Sequence, residues 1–305
     1  MRVAGNQLSV RVWGVLGSFL LALLVGSAVA DARDAAYPGR NGAILHIRDL
    51  GGNEPKGGRI FVTAADGSGI RDVTPAGITN VRSAAWSPDG RQIAFSGTGP
   101  ARLTSAVFVM NADGSGVRQV TRGRLAELSP TWSSDGKSLA FTSFDRGLFQ
   151  IFRSRLDGSA RRVLSNQTTN CENAEWSPTG RFIVFVCQLA GGLVIMRADG
   201  SAERRLTTGA RTTDSAPAWS PDGSTIVFSR GMWTYRIRPD RRGLKRVARV
   251  VGDRAISPDG RWLAMTRWVD EQQELWVLRR DGTGARRITA TAGLMEFAPD
   301  WQPVR

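Results

Sequence analysis

Short apolar runs recur along the chain, each set off by turns rich in Pro, Asp and Gly. The triplets Ile44-Leu45-His46, Ile93-Ala94-Phe95, Leu139-Ala140-Phe141, Ile183-Val184-Phe185, Ile226-Val227-Phe228 and Leu263-Ala264-Met265 are the clearest. Continuous apolar runs this short predict strands buried on both faces. A second set, Ile60-Phe61-Val62, Val107-Phe108-Val109, Ile151-Phe152, Leu193-Val194-Ile195, Thr234-Tyr235 and Leu275-Trp276, predicts the next strand of each unit. Each of these leads to an Asp in a mostly Asp-Gly turn: Asp66, Asp113, Asp157, Asp199, Asp240 and Asp281, at intervals of 47, 44, 42, 41 and 41. Gly accepts the positive φ that such hairpins demand. Short outer strands follow, ending at Val73, Val120, Leu164, Leu206, Val247 and Ile288.

A second marker gives the same period. An aromatic or aliphatic residue precedes a Pro-Asp-Gly-like turn at Trp86-Ser-Pro-Asp-Gly, Trp132-Ser-Ser-Asp-Gly, Trp176-Ser-Pro-Thr-Gly, Trp219-Ser-Pro-Asp-Gly, Ile256-Ser-Pro-Asp-Gly and Phe297-Ala-Pro-Asp. The intervals are 46, 44, 43, 37 and 41. Four short strands per unit and six units predict an all-β chain, a six-bladed β-propeller with four-stranded blades. The first unit opens at Asn41-Gly42, directly in its second strand. The C-terminal strand is therefore expected to complete the first blade and close the ring, which removes open sheet edges.

The first 30 residues are of different character. Arg2 and Arg11 form a basic leader, Val12 to Val29 carries no charge, and Ala28-Val29-Ala30 ends it with small residues. The layout is that of a secretory signal peptide or, read otherwise, of an N-terminal membrane anchor. The expected organisation is leader 1–30, linker 31–40 and propeller 41–305.

The Trp-Ser-Pro-Asp-Gly turns, Asn111-Ala112-Asp113-Gly114-Ser115-Gly116 and Pro299-Asp300-Trp301-Gln302-Pro303 resemble TolB-type six-bladed propellers, and the resemblance covers residues 41–303. It implies an exported protein of the bacterial cell envelope that binds proteins. TolB itself carries an N-terminal α/β domain; here about ten residues separate the leader from the first strand, so that domain is expected to be absent.

Charge alters this picture less than its size suggests. Lys and Arg number 41 against 27 acids, a net +14, and all but Lys56, Lys137 and Lys245 are Arg. Such a balance invites a nucleic-acid reading. Yet one basic residue stands five positions after each marker Asp, at Arg71, Arg118, Arg162, Arg204, Lys245 and Arg286. Six-fold repetition spreads these charges around the rim on outer strands, where they oppose edge pairing. No nucleic-acid groove is expected. The segment 236–254 is locally dense in Arg and could meet an anionic envelope polymer.

Candidate chemistry is sparse. No Gly-x-Ser-x-Gly elbow occurs. The single histidine, His46, occupies a slot that Phe or Met fills in the other units, which predicts a packed core residue and excludes His-rich metal sites. Glu127, Glu172, Asp214, Asp253 and Glu296 precede the innermost strands. Counted from the Trp-equivalent position they have mixed parity, so they are expected as solvated loop acids, with calcium the one cofactor left open. Cys171 and Cys187 fall opposite each other when the hairpin folds about Pro178-Thr179-Gly180, which predicts a disulfide in an oxidising compartment. The irregular connections gather on one face, and the longest define a binding rim of Asn53, Lys56, Arg102 and Trp268.

Two functions follow. One is a monomeric, non-catalytic exported propeller, periplasmic or extracellular, that binds a protein or anionic envelope polymer through the loop-rich face. The other is a secreted hydrolase or lyase acting on polysaccharide, with paired carboxylates at the channel mouth.

Overall fold

A computed structural model of the chain describes residues 39–50, 57–100, 103–123, 125–188, 192–208, 214–248, 254–270, 272–291 and 293–304. The leader, the linker up to residue 38, Asn53, Lys56, Arg102 and Asp253 lie outside the described residues. Among the described residues the regular structure consists of 24 β-strands. The first unit holds β1 (Arg40–Asp49), β2 (Gly58–Thr63) and β3 (Arg71–Asp72), and the second β4 (Thr79–Trp86), β5 (Gln92–Thr98), β6 (Ala106–Asn111) and β7 (Arg118–Gln119). The third holds β8 (Glu127–Trp132), β9 (Ser138–Asp145), β10 (Leu148–Arg155) and β11 (Arg162–Val163). The fourth holds β12 (Cys171–Trp176), β13 (Phe182–Cys187), β14 (Gly192–Arg197) and β15 (Arg204–Arg205). The fifth holds β16 (Asp214–Trp219), β17 (Ile226–Arg230), β18 (Trp233–Ile237) and β19 (Lys245–Ala248). The sixth holds β20 (Arg254–Ile256), β21 (Trp262–Val269), β22 (Gln272–Arg279) and β23 (Arg286–Arg287), and the chain ends in β24 (Met295–Val304).

All pairings are antiparallel. Units three to six each form a four-stranded sheet in chain order; β24 pairs with β1, and the first two units join through the single pair Gly58–Val81.

The turns are held by short polar side chains rather than by packing. In the Trp-Ser-Pro-Asp-Gly segments the Ser hydroxyl donates to the Asp carboxylate, at 2.6 Å in Ser87–Asp89 and Ser220–Asp222. The same hydroxyl accepts the amide five residues on, as in Gln92 N to Ser87 Oγ at 2.9 Å. Gly90 closes the turn at φ 69°, a left-handed conformation that costs Gly least. In the outer hairpins Asp66, Asp113, Asp157, Asp199 and Asp281 each accept the amide two residues later. In the fifth unit Arg241 (φ 73°) takes the left-handed place that Gly fills elsewhere.

The interior lies between the sheets. Trp86, Trp132, Trp176, Trp219 and Trp301 are all nearly inaccessible. Trp132 belongs to a cluster with Ala85, Ala94 and Val107 of the preceding unit, and its Nε1 donates to Ala85 O at 3.1 Å. Removing such a side chain costs about 3–5 kcal/mol. Trp301 packs with Ala255, Ala264, Leu275 and Ile288, so the C-terminal strand rests on the sixth unit.

One sequence expectation is corrected here. The sixth Trp-equivalent is Trp301, which pairs with Ile44 as Trp86 pairs with Ile93; the expected turn at Phe297-Ala-Pro-Asp lies inside β24. The Ala-Pro-Asp segment mimics the Ser-Pro-Asp turn, but it precedes the tryptophan, where Ser129-Pro130 and Ala216-Pro217 stand in other units. Ser129, Asn173, Ala216 and Ala298, each three residues before its Trp, adopt φ of 65°, 56°, 48° and 51°. Each coincides with a β-bulge in the innermost strand. A bulge inserts one residue into the alternation, so side chains beyond it face the other way.

Candidate functional site

With Trp301 as the sixth marker, three of the five acids before the inner strands fall into register. Glu127, Asp214 and Glu296 each stand five residues before their tryptophan, and Cys171 stands at the same place in the fourth unit. The mixed parity of the five acids comes from Glu172, four residues before Trp176, whereas these three share one parity. They are not solvated loop acids: Glu127 is 0%, Asp214 2% and Glu296 1% exposed.

Each faces the end of the adjoining second strand. Cys171 lies opposite Cys187 and forms a disulfide with it. Asp214 lies opposite Arg230 and takes a two-pronged ion pair from it, with Nε to Oδ1 at 2.6 Å and Nη2 to Oδ2 at 2.8 Å. These bonds hold the guanidinium above its ordinary pKa, against the opposing effect of burial. Thr207 Oγ1 adds a 2.5 Å bond to Oδ2. Glu296 lies opposite Arg48, which donates from Nε at 3.0 Å and Nη2 at 2.7 Å while its guanidinium carbon stands 4.3 Å from the Phe61 ring centroid. Thr289, Thr291 and the Leu275 amide add further donors. Glu127 lies opposite Ser143 and meets Arg161 Nη2 at 3.4 Å.

His46 belongs to the same corner. It is fully buried, stacks on Phe61 at 5.9 Å and stands 3.7 Å from Glu296 Oε1. Burial pushes its pKa down to about 4, and Arg48 acts in the same direction against the pull of Glu296.

Guanidinium and hydroxyl donors bind Asp214 and Glu296, and one guanidinium meets Glu127 Oε1, so each carboxylate ties its inner strand to neighbouring chain. Among the described residues no group of three or more His, Cys, Asp or Glu is placed to hold a metal ion. Glu172 is half-buried on β12 and pairs in the ladder with Val186. Trp268 is 61% exposed at the tip of the β21–β22 hairpin, with Arg267 beside it lying over Trp276 at 4.9 Å. Of the expected rim it alone is described.

Sequence reasoning missed two features. In five of the units a hydroxyl two residues past the outer strand, at Thr74, Thr121, Ser165, Thr207 and Thr289, accepts an amide from within the neighbouring strand, always from fourteen residues earlier. That column is visible in the repeat alignment once sought. Arg254 is 1% exposed, and its guanidinium donates to Thr234 Oγ1 at 2.8 Å and to Ser229 Oγ; no sequence signal distinguished it from the surrounding surface arginines.

The family model described as the TolB beta propeller domain matches residues 53–237. The chain belongs to the TolB beta propeller domain family. The Tol-Pal system protein TolB of Anaeromyxobacter dehalogenans (strain 2CP-C) is 37% identical over 117 residues, 36% of this chain and 26% of that protein. The chain covers a third or less of the curated relatives it matches first. Among solved structures, TolB from Acinetobacter baumannii superposes with a TM-score of 0.73 at 18% identity, over 94% of this chain and 71% of that one. An oligogalacturonate lyase in complex with manganese gives 0.59 at 15% identity, over 84% of this chain and 77% of the other, a likeness of fold alone.

Proposed function

We propose that this chain is an exported, envelope-associated TolB-like propeller that binds a protein partner in the periplasm and catalyses no reaction. The observation that carries the reading is the family match, which comes with relatives named as Tol-Pal system proteins. The six four-stranded units are read as blades of one closed ring, with β24 as the innermost strand of the first. Supporting this, Trp301 packs on the sixth unit, and Arg286 of that unit donates to Ala65 O at 2.7 Å in the first. The leader of residues 1–30 would direct export. The polysaccharide hydrolase or lyase reading is weakened by Glu127, Asp214 and Glu296, which are buried and ion-paired.

The partner surface is assigned to the face that carries the β21–β22 hairpin. Trp268 is its aromatic anchor, since exposed tryptophans dominate interface energies when a partner covers them. The test is affinity purification of the full chain from cell-envelope extract, with Trp268→Ala in parallel. One stoichiometric protein, retained at least tenfold less by the variant at unchanged melting temperature, supports the reading. Identical capture by both chains refutes the anchor. Turnover of a glycan panel that disappears in Glu172→Gln refutes the non-catalytic assignment.

A further inference from the structure

The tryptophan column is broken once. In the sixth blade the residue is Ile256, and the neighbouring core slot, Phe in four blades, is Met265. Trp132 and Trp219 each fill the gap to the preceding blade and donate Nε1 to a backbone carbonyl there at 3.1 Å. Ile256 is smaller and packs in a small cluster with Ala218, Val227 and Leu263. A cavity of about 330 Å³ stands between the fifth and sixth blades, walled by Val227, Ile256, Met265 and Leu278. That is roughly twice the ~150 Å³ of an apolar cavity known to take up benzene, and it lies within the range of small-molecule pockets.

The polar groups around this cavity are mostly cationic. Arg254 forms part of its wall, with its guanidinium braced on Thr234 and Ser229. Arg236 and Arg280 line it as exposed side chains, and Asp281 is the one acid among the lining residues. Asp281 is engaged by Thr283, which holds its pKa below the ordinary carboxylate value and keeps it charged. Arg280 also lies in the field of Asp222 on the fifth blade. The balance of three guanidinium groups against one lining carboxylate favours an anion at the mouth, while the walls favour hydrocarbon within.

We infer that the gap between the fifth and sixth blades is a binding site for an amphiphilic monoanion. Its alkyl chain would take the place that tryptophan holds in the other blades, and its head group would sit between Arg236 and Arg280. Burial of a saturated chain favours binding in proportion to its length, and the cationic rim adds selectivity for a charged head group over a neutral one.

Isothermal titration of the full chain with decanoate and, separately, with decanol tests the site. The expected result is saturable one-to-one binding of decanoate, at least tenfold tighter than that of decanol. Ile256→Trp restores the residue of the other blades, so it should abolish decanoate binding and raise the melting temperature. Met265→Phe fills the same space from the other side and keeps the test open if the tryptophan variant does not fold. Arg236→Gln combined with Arg280→Gln should weaken decanoate at least tenfold and leave decanol unchanged. Absence of saturable binding overturns the proposal, as does equal binding by the wild-type and both filled variants. Equal affinity for acid and alcohol overturns the assignment of the head group.

Discussion

At the scale of single residues, repetition identifies what each position is for. His46 stands in a phenylalanine slot, and the structure buries it beside Arg48 and Glu296 with its pKa at about 4. The folded value lies below the ordinary 6.5, so folding favours the neutral ring. Stability from this residue is therefore complete above about pH 6.5 and is lost as the pH falls toward 4, because the unfolded chain takes up a proton that the folded chain refuses. At ~1.4 kcal/mol per pH unit the loss is roughly 3 kcal/mol. His46→Phe should remove this part of the slope in denaturant midpoints measured between pH 7 and 4. An unchanged slope in the variant would place the acid sensitivity elsewhere. The basic residues after each marker Asp also gain a second role. Arg162 donates to Asp199 O at 3.2 Å and Arg204 to Pro239 O at 2.6 Å, so these two link the third unit to the fourth and the fourth to the fifth as well as guarding an edge.

At the scale of the strand pair, one corner of the inner hairpin is fastened by different chemistry from blade to blade. The fourth uses a disulfide, the fifth Asp214–Arg230, the first Glu296–Arg48, and the third Glu127 with Arg161. The cysteine pairing was legible because two residues equidistant from a turn must meet in an antiparallel ladder. Asp214–Arg230 obeys the same count across the same kind of bulge, whereas Glu296–Arg48 joins opposite ends of the chain and Arg161 lies outside the β8–β9 ladder, so no single hairpin reveals those two pairs. Arg230→Met should cost about 3–5 kcal/mol in urea unfolding, because it strands a buried carboxylate. The double replacement Asp214→Leu with Arg230→Met should recover most of that loss. If the single variant costs less than the exposed pair Arg59–Asp72, for which under ~1 kcal/mol is expected, the corner is not a fastener.

At the scale of the whole molecule, the decisive strand is the last one. β24 pairs with β1 across about 250 residues of chain, and it buries Trp301 against the sixth unit. Deleting residues 295–305 should abolish the single cooperative melting transition and produce aggregation by size-exclusion chromatography, since β1 would become an open apolar edge. A truncated chain that melts in one transition at the full-length temperature would refute the closed-ring reading. The sequence by itself determined the period, the four strands of each unit, the turn chemistry and the disulfide, because these depend on neighbours within one hairpin. Only the tertiary structure decided that Trp301 and not Phe297 is the sixth core residue, that the acids are internal ion pairs, and that Ile256 leaves a cavity. The sixth core residue, the Glu296–Arg48 pair and the cavity each depend on contacts between units or between the two ends of the chain, which no single hairpin encodes.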